Sequence, residues 1–117
     1  MLRYCPPYLV IQFLRFTAAH VKLSTPVFVT RRLLLGNDVV MGNDDVSEYE
    51  LCALCCHVDS RVVDSGHYVT YAIHDDSVTW YKFDDVTVTK VDIGVELMTE
   101  SLQQNVYLLF YRRLTSS

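Results

Sequence analysis

The sequence has no excess of positive charge and no long apolar run. Ten Lys and Arg residues face 14 Asp and Glu residues, for a formal net charge of −4, which argues against a polybasic nucleic-acid-binding arm. Apolar stretches such as residues 6–14 are broken by polar residues within about ten positions, far short of the ~20 that a membrane-spanning helix requires. We therefore expect neither a nucleic-acid nor a membrane partner.

Low-complexity segments and a secretory signal are also missing. Hydrophobic residues make up 50% of the chain and charged residues 21%, close to globular averages, so disorder and collagen-like repeats are excluded. The 117 residues are one domain's length at most. Residues 1–7 do not follow the basic, apolar and small-residue order of an export signal. We expect an intracellular protein, cytoplasmic or nuclear, whose four cysteines are reduced thiols.

Short runs of branched and aromatic residues predict β-strands along most of the chain. The predicted strands are residues 8–16, 22–29, 33–35, 49–57, 66–73, 77–83, 86–91 and 106–112. Residues 93–104 are the best helix candidate, with Val95, Leu97, Met98 and Leu102 on one side, and residues 36–47 are the clearest loop. These elements predict an α+β fold, a mainly antiparallel sheet with one or two short helices. Residues 8–16 are apolar on both faces, so we expect the sheet to need a second cover from outside this chain.

A histidine followed by a carboxylate pair is the most informative chemical pattern. His67 opens one predicted strand, and Asp84 and Asp85 close the next, beginning 17 positions later (84 − 67). In an antiparallel hairpin these ends lie side by side, so Asp84 can orient the His67 imidazole and stabilise its charged form. Gly66 leaves room for a substrate backbone beside the histidine. A purely structural role, with His67 at a strand end and the aspartates in a solvated turn, fits the spacing equally well.

Five segments resemble the motifs of ubiquitin-specific proteases, in the family's order. CPPYLVIQFLRF at residues 5–16 resembles LPPVLxIxLKRF, and YELCALCCH at 49–57 resembles YxLxAVxxH. SGHY at 65–68 matches the GHY histidine box, WYKFDD at 80–85 matches WYxFDD, and VYLLFY at 106–111 matches the closing AYxLFY. Together they cover nearly the whole chain. The resemblance implies the C-terminal half of a papain-like cysteine protease domain, its palm subdomain, over residues 1–117.

The resemblance also implies roles for individual residues. His67 would be the general base and acid, Asp84 its orienting partner and Asp85 an accessory polar group. Gly66 and Tyr68 would line the cleft for the ubiquitin tail, which residues 58–64 and 17–21 would cover. Members of this family attack the isopeptide carbonyl at the C-terminus of ubiquitin with a cysteine thiolate.

His57 has two interpretations. Strand alternation places it on one face with Tyr49, Leu51, Ala53 and Cys55, which favours a packed core or rim histidine. The other interpretation is an accessory group near the substrate tail.

No segment matches the family's nucleophile box, which resembles GNTCYMNS. We therefore expect no nucleophile in this chain, which would supply only the histidine and aspartate of a deubiquitinase. The alternative is a catalytically inactive ubiquitin-binding module. The expected partners are ubiquitin, ubiquitinated proteins and the N-terminal half of the same fold.

No metal or other cofactor is expected. Cys52 and Cys55 have the spacing of a metal-binding pair, but an offset of three on an extended strand points the two sulfurs to opposite faces. Small buried apolar groups are the better interpretation of these thiols.

Overall fold

A computed structural model describes residues 7–19, 21–35, 47–58 and 67–114. These residues form seven strands and two short helices. In chain order they are β1 (Tyr8–Gln12), β2 (Arg32–Leu35), β3 (Ser47–Val58), β4 (His67–Ile73), β5 (Trp80–Asp84), β6 (Thr87–Val91), α1 (Ile93–Glu96), α2 (Glu100–Asn105) and β7 (Val106–Arg113). The predicted fold class, a mainly antiparallel sheet with one or two short helices, is confirmed.

The strands form one sheet in the order β1-β7-β3-β4-β5-β6, and β2 pairs with the first half of β3. All of the described strand pairs are antiparallel. Both helices cover the same face of this sheet, and the core lies between them and the strands. The buried apolar side chains of this face are Tyr49, Leu51, Leu54, Cys56, Val69, Tyr71, Trp80, Ile93, Leu97, Leu102, Val106, Leu109 and Tyr111. Among the described residues no helix is long and apolar enough to cross a membrane.

Two β-bulges between β3 and β7 keep this core face aligned. The pairing shifts by one residue at Cys52 in β3 and again at Tyr107 in β7. A bulge leaves one residue unpaired and reverses the alternation of the residues that follow. The buried pairs are Leu51 with Tyr111, Leu54 with Leu109, and Cys56 with Val106.

Because of the first bulge, His57 lies on a different face of the sheet from the one that strict alternation predicts. Tyr49 and Leu51 lie on the core face, as do Leu54 and Cys56 beyond the bulge, which leaves His57 on the opposite face. Strict alternation was wrong here because it cannot register an inserted residue.

The predicted helix is two helices because Thr99 interrupts it. Thr99 has extended backbone (φ −78°, ψ 143°), and its hydroxyl accepts a hydrogen bond from the Leu102 amide, so it caps a new helix. Asp92 caps α1 in the same way through the amides of Gly94 and Val95. The break also changes which residues are buried. Ile93, Leu97 and Leu102 are buried, whereas Val95 and Met98 are exposed.

Several predicted strands are shorter than expected or absent. β1 ends at Gln12, and residues 23–30 form no strand. Instead of a ladder, this segment has single backbone hydrogen bonds, from the Leu23 amide to Arg15 and from the Val27 amide to Gln103 in α2. β5 begins at Trp80, since the preceding residues form a turn. Most of the predicted loop at residues 36–47 and of the predicted covering loop at 58–64 lies outside the described residues, and their described ends, Ser47 and Val58, belong to β3.

The face of the sheet away from the helices carries exposed apolar side chains, as expected for a sheet that needs a second cover. Six of them, each between 41% and 64% exposed, define what we call the open face: Tyr8, Val10, Leu34, Tyr68, Phe83 and Val88. Apolar side chains exposed together on one face of a sheet indicate an interaction site or an aggregation hazard.

We expect the isolated chain to self-associate through the open face. Light scattering should give an apparent mass that rises with concentration, and a Val10→Lys, Val88→Lys double variant should lower it towards that of a monomer. Val95→Lys is the matched control, because Val95 is 63% exposed but lies on α1, away from this face. A concentration-independent monomer for the unchanged chain would contradict the expectation.

Candidate active site

His67 and Asp84 meet at one end of the sheet. His67 is the first residue of β4 and Asp84 the last of β5, and these neighbouring strands are antiparallel. Nε2 of His67 lies 3.3 Å from Oδ1 of Asp84, and both side chains are 38% exposed. The sequence predicted this juxtaposition. Exposed ion pairs contribute only about 0–1 kcal/mol, so this contact adds little to the stability of the fold.

The geometry leaves one imidazole nitrogen for chemistry. With the Nε2 edge towards the carboxylate, a neutral His67 carries its proton on Nε2 and keeps the lone pair on Nδ1. The 3.3 Å distance between Nε2 and Oδ1 is long for a hydrogen bond. Nδ1 is therefore the nitrogen able to accept a proton.

Both residues line a cavity of about 350 Å³ between the sheet and the helices. The other lining residues come from strands and helices alike. They are Cys56, Val58, Val69, Tyr71, Lys82, Glu96, Thr99, Ser101, Leu102 and Asn105. Burial raises the pKa of Tyr71, and the neighbouring acidic groups reinforce this shift. Tyr71 is therefore a neutral phenol at physiological pH.

Asp85 belongs to the turn that follows β5. It has a left-handed backbone (φ 53°) in the two-residue connection between Asp84 and Thr87. Asp and Asn tolerate this conformation better than most residues. Among the described residues Asp85 forms no ion pair with His67, so its predicted accessory role stays a prediction.

His57 and Tyr68 lie on the face opposite His67. The His57 side chain is 1% exposed and packs edge-on between the rings of Phe16 and Tyr68, with centroids 5.4 and 5.0 Å away. The Tyr68 ring also contacts Tyr107 at 5.6 Å. This position fits a packed histidine. Gly66, the other predicted residue of the tail cleft, lies outside the described residues.

The described cysteines point in different directions. Cys52 Sγ lies 3.4 Å from the backbone oxygen of Phe110 on β7, and Cys55 Sγ lies 3.6 Å from the hydroxyl of Thr70 on β4. These contacts direct the two sulfurs towards different neighbouring strands. The predicted separation onto opposite faces rested on strict alternation, which does not hold across the bulge at Cys52. No metal-binding cluster occurs among the described residues. Cys5 lies outside them.

Cys56 lines the His67 cavity, but its environment suppresses the thiolate. Burial raises the pKa of its thiol to about 12, and the side chain is 2% exposed. The thiolate is the reactive form of cysteine. At pH 8 we therefore expect Cys56 to react with iodoacetamide more slowly than Cys55, as measured by peptide mass spectrometry, and the difference to disappear in urea. Equal rates in the native protein would contradict this expectation.

Two buried cations at the α2–β7 junction were missed by the sequence reasoning. Arg15 is 4% exposed and Lys22 is 9% exposed. Burial lowers the pKa of Arg15 from its usual value. For Arg15, the sequence feature that could have indicated burial is its position between two apolar residues, Leu14 and Phe16.

Comparison with known proteins identifies the family. The model of the family described as ubiquitin carboxyl-terminal hydrolase matches residues 1–111. The chain belongs to this family. Ubiquitin carboxyl-terminal hydrolase 9 of Arabidopsis thaliana is 36% identical over 115 residues, which are 95% of this chain and 12% of that protein. The resemblance to ubiquitin-specific proteases is confirmed.

Solved structures agree with this family fold. A chain of the yeast SAGA DUB module superposes with a TM-score of 0.75 at 24% identity, covering 96% of this chain and 26% of that one. The SAGA Ubp8/Sgf11/Sus1/Sgf73 DUB module bound to ubiquitin aldehyde gives 0.71 at 23% identity, covering 96% and 25%. At these identities the likeness is one of fold. The chain thus spans about a quarter of the solved relatives and about an eighth of the curated one.

Proposed function

We propose that this chain supplies the histidine and aspartate of a cysteine-type deubiquitinase, which hydrolyses the isopeptide bond at the C-terminus of ubiquitin. The observation that carries the proposal is the 3.3 Å contact between His67 Nε2 and Asp84 Oδ1, at a cavity of a chain from the ubiquitin carboxyl-terminal hydrolase family.

In the proposed mechanism His67 moves the proton in both half-reactions. Nδ1 takes the proton from a cysteine thiol, and the thiolate attacks the isopeptide carbonyl carbon. His67 then protonates the leaving lysine amine as the carbon–nitrogen bond breaks, which leaves an acyl-enzyme. In the second half, His67 deprotonates the water that releases ubiquitin and returns the proton to the thiol. Asp84 stabilises the imidazolium in each half.

The thiol is proposed to come from a segment outside the described residues. Cys56 is buried with a raised pKa, and Cys52 and Cys55 contact the strands on either side of β3. An N-terminal half of the family fold would supply this thiol and cover the open face. Ubiquitin and ubiquitinated proteins are the proposed partners, and an intracellular location is proposed with them.

The first test uses the chain alone. Incubation with a ubiquitin probe that carries a C-terminal electrophile should give no covalent adduct by intact mass, because His67 and Asp84 have no reactive thiol to activate. An active relative labelled in parallel confirms that the probe works. Stoichiometric labelling of Cys5, Cys52, Cys55 or Cys56 would contradict the proposed division of labour.

A second test joins the chain to a nucleophile-bearing segment of its family. Hydrolysis of a ubiquitin–fluorophore substrate supports the proposal. Ubiquitin binding without turnover, in a folded protein, would instead favour a catalytically inactive ubiquitin-binding module.

A further inference from the structure

Among the described residues, the strand end that carries His67 has few pairing partners. β4 pairs with β5 over Thr70–Ile73, and His67 itself pairs with Val58 in β3. Val58–His67 is the outermost pair that the structure describes in the β3–β4 ladder, and the described β3–β7 pairs stop at Cys56. In this part of the chain, Val58 and His67 are therefore held by one ladder, and strand ends held in this way open more readily than the centre of a sheet.

Lys22 lies at the junction between the end of α2 and the start of β7. Its buried Nζ donates hydrogen bonds to the backbone carbonyl of His57 and to Oδ1 of Asn105, the last residue of α2. Hydrogen bonds from a charged donor are among the stronger ones in proteins. The ammonium thus binds the His57 peptide, directly before the Val58–His67 pair and beyond the last β3–β7 pair.

The segment that carries Lys22 is itself anchored. Lys22 forms a β-bridge with Phe16, and the neighbouring Arg15 donates from Nε to the carbonyl of Val106 and from Nη2 to that of Gln103, each at 2.8 Å. Arg15 Nη1 also donates to the carbonyl of Thr25 at 2.5 Å. Because both arms of this short hairpin are fixed to the α2–β7 junction, the Lys22 ammonium has a fixed position.

We propose that Lys22 is a positioning residue for His67, and that its hydrogen bonds hold the end of β3 and the end of α2 in the arrangement that sets the imidazole against Asp84. Asn105 supports this because it contacts Lys22 and also lines the cavity of His67 and Asp84. This inference rests on the proposed function, in which the orientation of the His67 ring matters.

The test is NMR of the 117-residue chain, with the ring ¹⁵N signals of His67 assigned by their loss in His67→Gln. In the unchanged chain these signals should report one neutral tautomer, with its proton on Nε2. Lys22→Met should mix the two tautomers and speed amide exchange of Val58 and His67 by about 10–100-fold. Lys22→Arg should restore much of both. Lys90→Met is the control, since Lys90 is exposed on β6.

Asn105→Ala is a second variant in case Lys22→Met does not fold, because it removes one partner of Lys22 and keeps the cation. A folded Lys22→Met or Asn105→Ala variant with unchanged His67 signals and exchange would overturn the positioning role. Asp84→Ala, which removes the acceptor for Nε2–H, separates this failure from that of the proposed function. If Asp84→Ala leaves the His67 tautomer unchanged, the histidine–aspartate pairing is wrong, whatever Lys22 does.

Discussion

His67→Ala is expected to lower kcat/KM on a ubiquitin–fluorophore substrate by about 10²–10⁴-fold, the range for proton transfer by a positioned side chain. The measurement uses this chain joined to a nucleophile-bearing segment of its family. In the proposed mechanism His67 transfers the proton in both half-reactions, so its loss should remove most of the activity. Circular dichroism checks that the variant is folded. A folded His67→Ala variant with near-normal turnover would remove His67 from the catalytic role.

The two aspartates provide the matched comparison for that experiment. Asp84→Asn should lower kcat/KM less than His67→Ala, because the proposed role of Asp84 is to orient and stabilise the imidazole. Asp85→Asn should cost least. Asparagine is the right replacement at Asp85, because alanine would be strained at its φ of 53° and would confuse a backbone effect with a chemical one. A larger loss at Asp85 than at Asp84 would show that the wrong aspartate has been assigned.

Arg15→Met is expected to lower the free energy of unfolding by about 2–4 kcal/mol. The guanidinium donates to backbone carbonyls of the α2–β7 junction and of its own hairpin. Methionine fills similar space but leaves these acceptors without their donor, and each unsatisfied buried group costs about 1–3 kcal/mol. Methionine also removes the free-energy cost of burying the charged guanidinium, which offsets part of the loss in stability.

Urea unfolding followed by tryptophan fluorescence measures this change, because Trp80 is the only tryptophan and is 2% exposed. Arg31→Met is the matched control. Arg31 is an exposed arginine for which the same substitution should change stability by less than about 0.5 kcal/mol. An Arg15→Met variant as stable as the control would show that the carbonyls find other donors.

Local sequence patterns were enough to predict the juxtaposition of His67 and Asp84. Both residues end neighbouring strands that one short turn connects, so the pairing depends on a single hairpin. The turn itself is determined by nearby residues. Asp76 accepts hydrogen bonds from the Thr79 hydroxyl and from the amides of Thr79 and Val78, and these bonds lower its pKa to about 2.

The face on which a residue lies could not be predicted beyond the bulges. Alternation placed His57 with Tyr49 and Leu51, but the extra residue at Cys52 reverses the pattern. A bulge forms because two strands must both present apolar residues to one core, and this requirement involves β7, more than fifty residues away in sequence. Nothing local to β3 encodes it.

The sequence by itself determined the family, the antiparallel sheet and the histidine–aspartate pair, because motifs, strand periodicity and one hairpin are local features. Only the tertiary structure decided which face His57 occupies and that residues 23–30 are not a strand. Only the tertiary structure showed that Arg15 and Lys22 are buried and donate hydrogen bonds to backbone carbonyls. The physical reason is that a cation can be buried only where hydrogen-bond acceptors surround it. The acceptors of Arg15 and Lys22 are distant from them in sequence and come together only when the sheet packs against α2. They include Val106, Gln103, His57 and Asn105.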